Sequence, residues 1–300
     1  NVYWNQRMFL LHGDAKYIDV LERTLYNGLL SGVSLDGTHF FYPNPLASNG
    51  GYTRSEWFGC ACCPGNVTRF MASVPGYMYA KKEGAIYVNL FAAGKAEIEL
   101  DGTKVTLRQK TRYPWDGEVA IEVEPEEPAA FALLVRIPGW ARNQPVPSDL
   151  YRFRTEDDSK PTLEVNGEPA ELDMTNGYAT IRRTWKRGDA VRLQLPMPIR
   201  RIEAHEAVEA DRGRVALQRG PIVFCAEGVD HKDGHVLNLL LPDDAPLKAE
   251  FHDDLLGGVV ALHGTAFGVQ RNEDGDSLVR LEREGTAVPY SVWANRGGNE

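Results

Sequence analysis

The chain has 300 residues, of which 43% are hydrophobic, 25% charged and 10% aromatic, enough apolar material for two or three domains with proper cores. Lys and Arg number 33 against 42 Asp and Glu, a net charge of −9. That balance excludes the basic face a nucleic-acid binder needs to neutralise phosphates. No run approaches the roughly 18 apolar residues that span a bilayer, so a membrane is not an expected partner. The first residues, Asn1-Val2-Tyr3-Trp4, show neither an initiator Met nor a charged-then-apolar leader; the expectation is a piece cut from a longer protein.

Within residues 7–30 the apolar positions Phe9, Leu10, Leu11, Tyr17, Val20, Leu21, Leu25 and Leu29 recur at spacings of three and four, which predicts amphipathic helices. Gly13-Asp14 interrupts them, and Asp14 can cap the second helix. A polar loop rich in Gly, Pro, Asn and aromatics occupies residues 31–59. A further helix is predicted from Pro64 through Val67, Phe70, Met71 and Val74, because Pro is tolerated in a first helical turn.

From Ala85 onward the period is two. Strands are predicted at 86–91, 96–100, 105–107, 119–123, 131–137, 162–165, 179–181 and 191–195, with Asp101-Gly102 and Asn166-Gly167 as hairpin turns. A charged stretch, 200–214, is expected to separate these from a second set at 215–217, 222–225, 236–241, 259–262 and 278–281. Short strands at roughly ten-residue spacing indicate β-sandwiches.

Three of the four cysteines fall in Cys60-Ala61-Cys62-Cys63, while Cys225 sits in an apolar, strand-like run as an expected core residue. Disulfide scaffolds spread their cysteines, so clustering points to metal or thiol chemistry. Cys62 and Cys63 could both reach one ion, and Cys60 could join them, but no second CxxC or HxxxH completes a tetrahedral shell nearby. A thiol at the start of the helix opened by Pro64 would have its pKa lowered. A low-pKa thiolate is a nucleophile as well as a ligand. A structural zinc knuckle, a redox-active vicinal pair and buried inert thiols remain open. The loop before the cluster carries His39, Phe40, Phe41, Tyr42, Asn44, Tyr52, Trp57 and Phe58. Rings and amides of this kind suit a sugar pocket, and they equally suit packing of the loop itself.

Several segments carry a resemblance. Trp4-Asn5-Gln6-Arg7-Met8, Glu22 with Leu25-Tyr26-Asn27, Phe40-Phe41-Tyr42 with Asn44-Pro45-Leu46, and Trp57-Phe58-Gly59-Cys60-Ala61-Cys62-Cys63-Pro64 resemble glycoside hydrolase family 127. The likeness continues through Leu134-Val135-Arg136-Ile137-Pro138-Gly139-Trp140 and Trp293-Ala294-Asn295-Arg296-Gly297. It implies a multidomain α + β fold, the end of an (α/α)6 barrel followed by two antiparallel β-sandwich domains. The expected divisions are 1–80 for the barrel helices and active-site loop, 81–204 with a returning 287–300 for the first sandwich, and 205–286 for the second.

The resemblance also implies a retaining β-L-arabinofuranosidase with a zinc-bound cysteine thiolate as nucleophile. By it, Cys62 attacks the anomeric carbon, Cys62 and Cys63 hold Zn2+, and Glu22 and Tyr42 contact substrate. The family's general acid/base Glu, two further zinc ligands and several His residues would precede Asn1, so this chain alone is expected to be inactive. The implied partner is an L-arabinofuranose-containing oligosaccharide or glycoconjugate, with a homodimer as a further expectation. A reduced thiolate favours the cytoplasm over the periplasm or secretion. The alternative is a non-catalytic β-sandwich module, carbohydrate-binding or structural, that keeps the cysteines as a structural zinc site.

Overall fold

The computed structural model describes residues 1–272, 274 and 276–297. It is a mixed α/β structure dominated by sheet, and among the described residues the three α-helices all precede the strands. Contacts divide the chain into two compact units, Asn1–Thr24 with Phe70–Val215, and Leu25–Arg69 with Ala216–Glu300. The N-terminal 80 residues are therefore shared between the units. No helix among the described residues is long and apolar enough to cross a membrane.

The first unit opens with α1 (Val2–His12) and α2 (Ala15–Arg23). As the sequence predicts, α1 stops at Gly13, whose φ of 64° lets its N–H return to the Phe9 carbonyl. Asp14 then caps α2 by accepting from the Lys16 N–H. Phe9, Ile18 and Leu21 are buried, whereas Trp4, Leu10 and Leu11 of α1 are exposed.

Strands β1 (Tyr79–Lys82), β2 (Ala85–Val88), β3 (Gly94–Leu100), β4 (Thr103–Thr111), β5 (Glu118–Pro125) and β6 (Ala129–Arg136) follow. Next come β7 (Tyr151–Phe153), β8 (Thr162–Val165), β9 (Glu168–Ala170), β10 (Met174–Thr175), β11 (Tyr178–Trp185), β12 (Asp189–Gln194) and β13 (Ile199–Ala204). One sheet runs β1-β2-β6-β11-β10 and another β3-β4-β5-β12-β8-β9. The second is antiparallel throughout; in the first only β2 and β6 run parallel.

The period of two sets the buried faces. Val105 and Leu107, Val119, Ile121 and Val123, and Val191 and Leu193 lie inside, as do Leu133, Val135 and Trp185 from the other sheet. Gln109 of β4 reaches across to Tyr79 of β1, donating to its hydroxyl at 2.8 Å. The hairpin turns Asp101-Gly102 and Asn166-Gly167 both show two consecutive positive φ values, and Asn176-Gly177 adds a third such turn.

Several strands, β1, β7, β9, β10 and β13 among them, lie outside the runs read from the sequence. The charged stretch at 200–214 was expected to separate domains, yet Ile199–Ala204 forms β13 and pairs with β7. Its Arg200 is buried because the guanidinium sits 4.0 Å from the Phe153 ring and donates to Asn143 at 3.0 Å. A charged residue with such partners hides a strand from a polarity count.

The second unit contains β14 (Ala216–Arg219), β15 (Ile222–Cys225), β16 (Leu239–Leu240), β17 (Leu247–His252), β18 (Val259–Arg271) and β19 (Leu278–Pro289). β14 pairs with β15, β15 with β19, and β19 with β18, which carries both β16 and β17. β17 is a further unforeseen strand: exposed at most positions, it shows little of the alternation that marks a half-buried strand. Residues 287–297, expected to return to the first sandwich, instead belong by their contacts to the second unit. The end of β19 pairs with β15, and Tyr290 and Trp293 then pack with Phe41. Residues 298–300 lie outside the described residues.

Candidate active site

The loop that leads to the cysteines is held by a few polar side chains. After α2 the helix widens into a π turn, Thr24–Leu29, and closes with a 3-10 turn, Leu30–Gly32. Asn27 on this segment is buried and acts as a strand edge. Its Nδ2 donates to the Pro221 carbonyl at 2.9 Å, and its Oδ1 accepts from the Val223 N–H at 2.8 Å. Asn44 donates to the Ser31 hydroxyl and accepts from the Tyr290 hydroxyl at 3.0 Å. Arg54 lies 4.3 Å from the Phe41 ring and donates to the carbonyls of Ser31, Trp293 and Ala294. Burial pulls its pKa down to about 10.

These clamps sort the loop aromatics. Phe41 stacks on Trp293 with centroids 5.0 Å apart, so it packs the loop. Tyr42 and Trp57 are exposed, Tyr42 resting edge-on against Phe58 at 5.5 Å.

Helix α3 (Cys62–Ser73) begins with the two adjacent cysteines, and Pro64 lies in its first turn. The Cys62 and Cys63 sulfurs converge to 3.7 Å, and all four cysteines of the chain are free thiols. Two thiolates that share one tetrahedral zinc ion at about 2.3 Å each stand about 3.8 Å apart, so this pair has the spacing of a zinc-binding pair. The thiols are also electrically unlike. Hydrogen bonds from Cys63, then Cys60 and Tyr42, hold the Cys62 thiol below the ordinary value. Burial and the neighbouring Cys62 push Cys63 up. The charges of Cys62, Cys60 and Cys63 in turn raise Tyr42, whose hydroxyl bonds to Cys62. The start of a twelve-residue helix adds a positive dipole end at the same point.

Three of the four residues singled out in the sequence, Tyr42, Cys62 and Cys63, thus come together, and Cys60 joins them. Glu22 lies in the first unit. It is buried there, its Oε1 accepting from the Tyr113 hydroxyl at 2.7 Å and from Arg136. Arg136 also pairs with Asp19 at 2.7 Å. Burial alone would lower the pKa of that guanidinium, but the charges of Glu22 and Asp19 outweigh it and raise the value. Sequence reasoning quoted Arg136 only as part of a resemblance and gave it no partner; a lone Arg in an otherwise apolar strand was the available signal. Cys225 is half-buried against the cluster of Phe41, Tyr290 and Trp293, at the edge of the core rather than inside it, and burial pushes its thiol well up.

Comparison with known proteins identifies the family. Three family models match in succession: the GH127 β-L-arabinofuranosidase catalytic domain over residues 1–76, the GH127 middle domain over 85–197, and the glycoside hydrolase family 127 C-terminal domain over 199–300. The chain belongs to glycoside hydrolase family 127.

A family 127 relative, the non-reducing end β-L-arabinofuranosidase of Bifidobacterium longum subsp. longum, is 34% identical over 97% of this chain and 45% of its own length. A solved GH127 β-arabinofuranosidase superposes with a TM-score of 0.94 at 49% identity, covering 99% of this chain and 46% of that one. A GH127 β-L-arabinofuranosidase from Geobacillus stearothermophilus T6 superposes with a TM-score of 0.88 at 41% identity, covering 99% and 47%. The chain therefore spans about half the length of these family 127 relatives.

Proposed function

We propose that this chain is the C-terminal part of a retaining exo-acting β-L-arabinofuranosidase in which Cys62 is the nucleophile. The observation that carries the reading is the converged pair at the start of α3: two sulfurs 3.7 Å apart, with Cys62 the more acidic thiol and Tyr42 bonded to it. In this reading α1, α2 and α3 end an (α/α)6 barrel and the sheets that follow form two β-sandwiches. The exposed Trp4, Leu10 and Leu11 of α1 support it, being an apolar face suited to further helices.

Retention requires two displacements. The Cys62 sulfur attacks the anomeric carbon, and a C–S bond forms as the glycosidic C–O bond breaks. The electron pair leaves with the departing oxygen, which in this reading takes a proton from an acid outside these 300 residues. Water then attacks the same carbon, giving its proton to the conjugate base of that acid; the C–S bond breaks, its electron pair returns to the sulfur, and the configuration returns. Cys62 and Cys63 would hold zinc together with ligands from outside these 300 residues, and zinc when bound keeps the thiols deprotonated and fixes the sulfur. Tyr42 donates to the Cys62 sulfur and borders the sugar, while Glu22 is read as a substrate contact, as the resemblance implies. The substrate is a non-reducing terminal L-arabinofuranose of an oligosaccharide or glycoconjugate.

The test is turnover of an aryl β-L-arabinofuranoside. The protein extended upstream should hydrolyse it and lose activity in Cys62→Ser, while the 300-residue chain should not hydrolyse it. Turnover by the isolated chain would require an acid/base residue among these 300 and would overturn the reading.

A further inference from the structure

Outside the cysteine cluster, the donors that the fold gathers most tightly lie on the β17–β18 hairpin of the second unit. Its register pairs Lys248 with His263, Glu250 with Ala261 and His252 with Val259. Residues 250 and 252 therefore share a face of β17, and position 263 of β18 shares it too. The side chains close on one another across that face. The Nε2 atoms of His252 and His263 are 3.3 Å apart, with the rings inclined at 68°. A Glu250 carboxylate oxygen and the two imidazole nitrogens all lie within 4.8 Å of one another.

We propose that Glu250, His252 and His263 form a binding site for a late first-row divalent cation, zinc by the chemistry of the donors, which pins β17 to β18. The spacing is the first argument. Two imidazole nitrogens at 2.0–2.1 Å from one tetrahedral ion stand about 3.3 Å apart. Two imidazoles and a carboxylate are the donor set of many three-ligand zinc sites, leaving one position for water. The second argument is orientation. The other nitrogen of His263, Nδ1, lies 3.3 Å from the Thr286 hydroxyl and 4.0 Å from Glu284. A proton held at Nδ1 toward the Thr286 hydroxyl leaves the Nε2 lone pair facing His252, the arrangement that outer partners impose on ligating histidines.

The third argument is need. β17 pairs only with β18 among the described residues, and most of its side chains are exposed. An edge strand with so little burial gains most from a cross-strand ligand bridge. The site shares no residue with the cysteine cluster, so it stands or falls independently of the proposed glycosidase.

Cobalt(II) distinguishes the two sets of donors, because thiolates give an intense near-ultraviolet charge-transfer band and a His and carboxylate site does not. The probe is Co2+ added to the 300-residue chain carrying Cys60→Ser, Cys62→Ser and Cys63→Ser. One equivalent should bind with visible ligand-field bands alone, and His252→Gln or His263→Gln should abolish it. As a second reading that needs no substitution, long-range 1H–15N spectra of the unaltered chain should show both imidazole Nε2 resonances shifting together on addition of Zn2+. Failure of the thiol-free variant to bind Co2+ with the His252 and His263 resonances unmoved by Zn2+, or binding unchanged by the His substitutions, would overturn the proposal.

Discussion

Arg136 closes onto Glu22 in an ion pair from which water is excluded on both sides, the two side chains being 0% and 2% exposed. Each charge has further neighbours that compensate it: Tyr113 for the carboxylate, and Asp19 and the Asn89 carbonyl for the guanidinium. Removing one partner strands the other in a low-dielectric interior, at a cost of about 3–5 kcal/mol. Glu22→Ala should therefore lower stability by that amount in urea unfolding, whereas the double change Glu22→Leu with Arg136→Met should recover most of it. A Glu22→Ala chain with an unchanged unfolding midpoint would release Glu22 from this structural role and leave substrate contact as its sole assignment.

Asp189 makes stability depend on acid. It is buried, yet bonds from the Lys186 N–H at 2.9 Å and the Asn166 amide at 2.8 Å, with Arg183 nearby, outweigh its desolvation and hold its pKa below the ordinary carboxylate value of 3.8. The folded pKa is depressed, so the stabilisation is complete above the unfolded value and is lost as pH falls through the lower folded one. Asp189→Asn should cost about 1–3 kcal/mol at neutral pH. It should also flatten the decline in stability below about pH 4. Equal losses in the two proteins on acidification would contradict this.

Gly177 is a packing prediction. Its φ is +80°, and a Cβ there would stand 2.6 Å from the Ala15 Cβ. The same turn offers the Asn176 carbonyl to the Ala15 N–H at 2.9 Å, tying the hairpin to the start of α2. Gly177→Ala combines backbone strain with that close approach and should cost about 2 kcal/mol or more. Thermal unfolding measures it, and a change below half that figure would count against the described packing.

The asymmetry between the adjacent thiols has its own readout. In metal-free protein, alkylation followed by peptide mass analysis should label Cys62 before Cys63, because the thiolate is the reacting species. Tyr42→Phe removes a hydrogen bond to the Cys62 sulfur, so the pH profile of Cys62 alkylation should move upward. An unmoved profile would separate Tyr42 from the thiol.

Much of this was legible in the sequence where local signals and burial agree. Asp14 as a cap, Gly13 as a stop and the positive-φ pairs Asp101-Gly102 and Asn166-Gly167 were readable because backbone conformation alone selects those residues. The alternation through Val119, Ile121 and Val123 was readable because one face of that strand is buried. Strands β13 and β17 were hidden for opposite reasons. In β13 the buried Arg200 is satisfied through partners distant in sequence, and in β17 no buried face exists to imprint a period. The cysteine cluster announced itself by adjacency, whereas the convergence of Glu250, His252 and His263 depends on the register of a strand that the sequence had not revealed.

The central claim is that the Cys62 sulfur forms the bond to the sugar. The most direct measurement is mass analysis of the upstream-extended protein treated with an arabinofuranose-configured electrophile that traps the glycosyl-enzyme. A single pentosyl adduct should map to the peptide containing Cys62 and disappear in Cys62→Ser, with turnover falling on the order of 10^4- to 10^6-fold. An adduct on a carboxylate, or substantial turnover surviving in Cys62→Ser, would contradict the account.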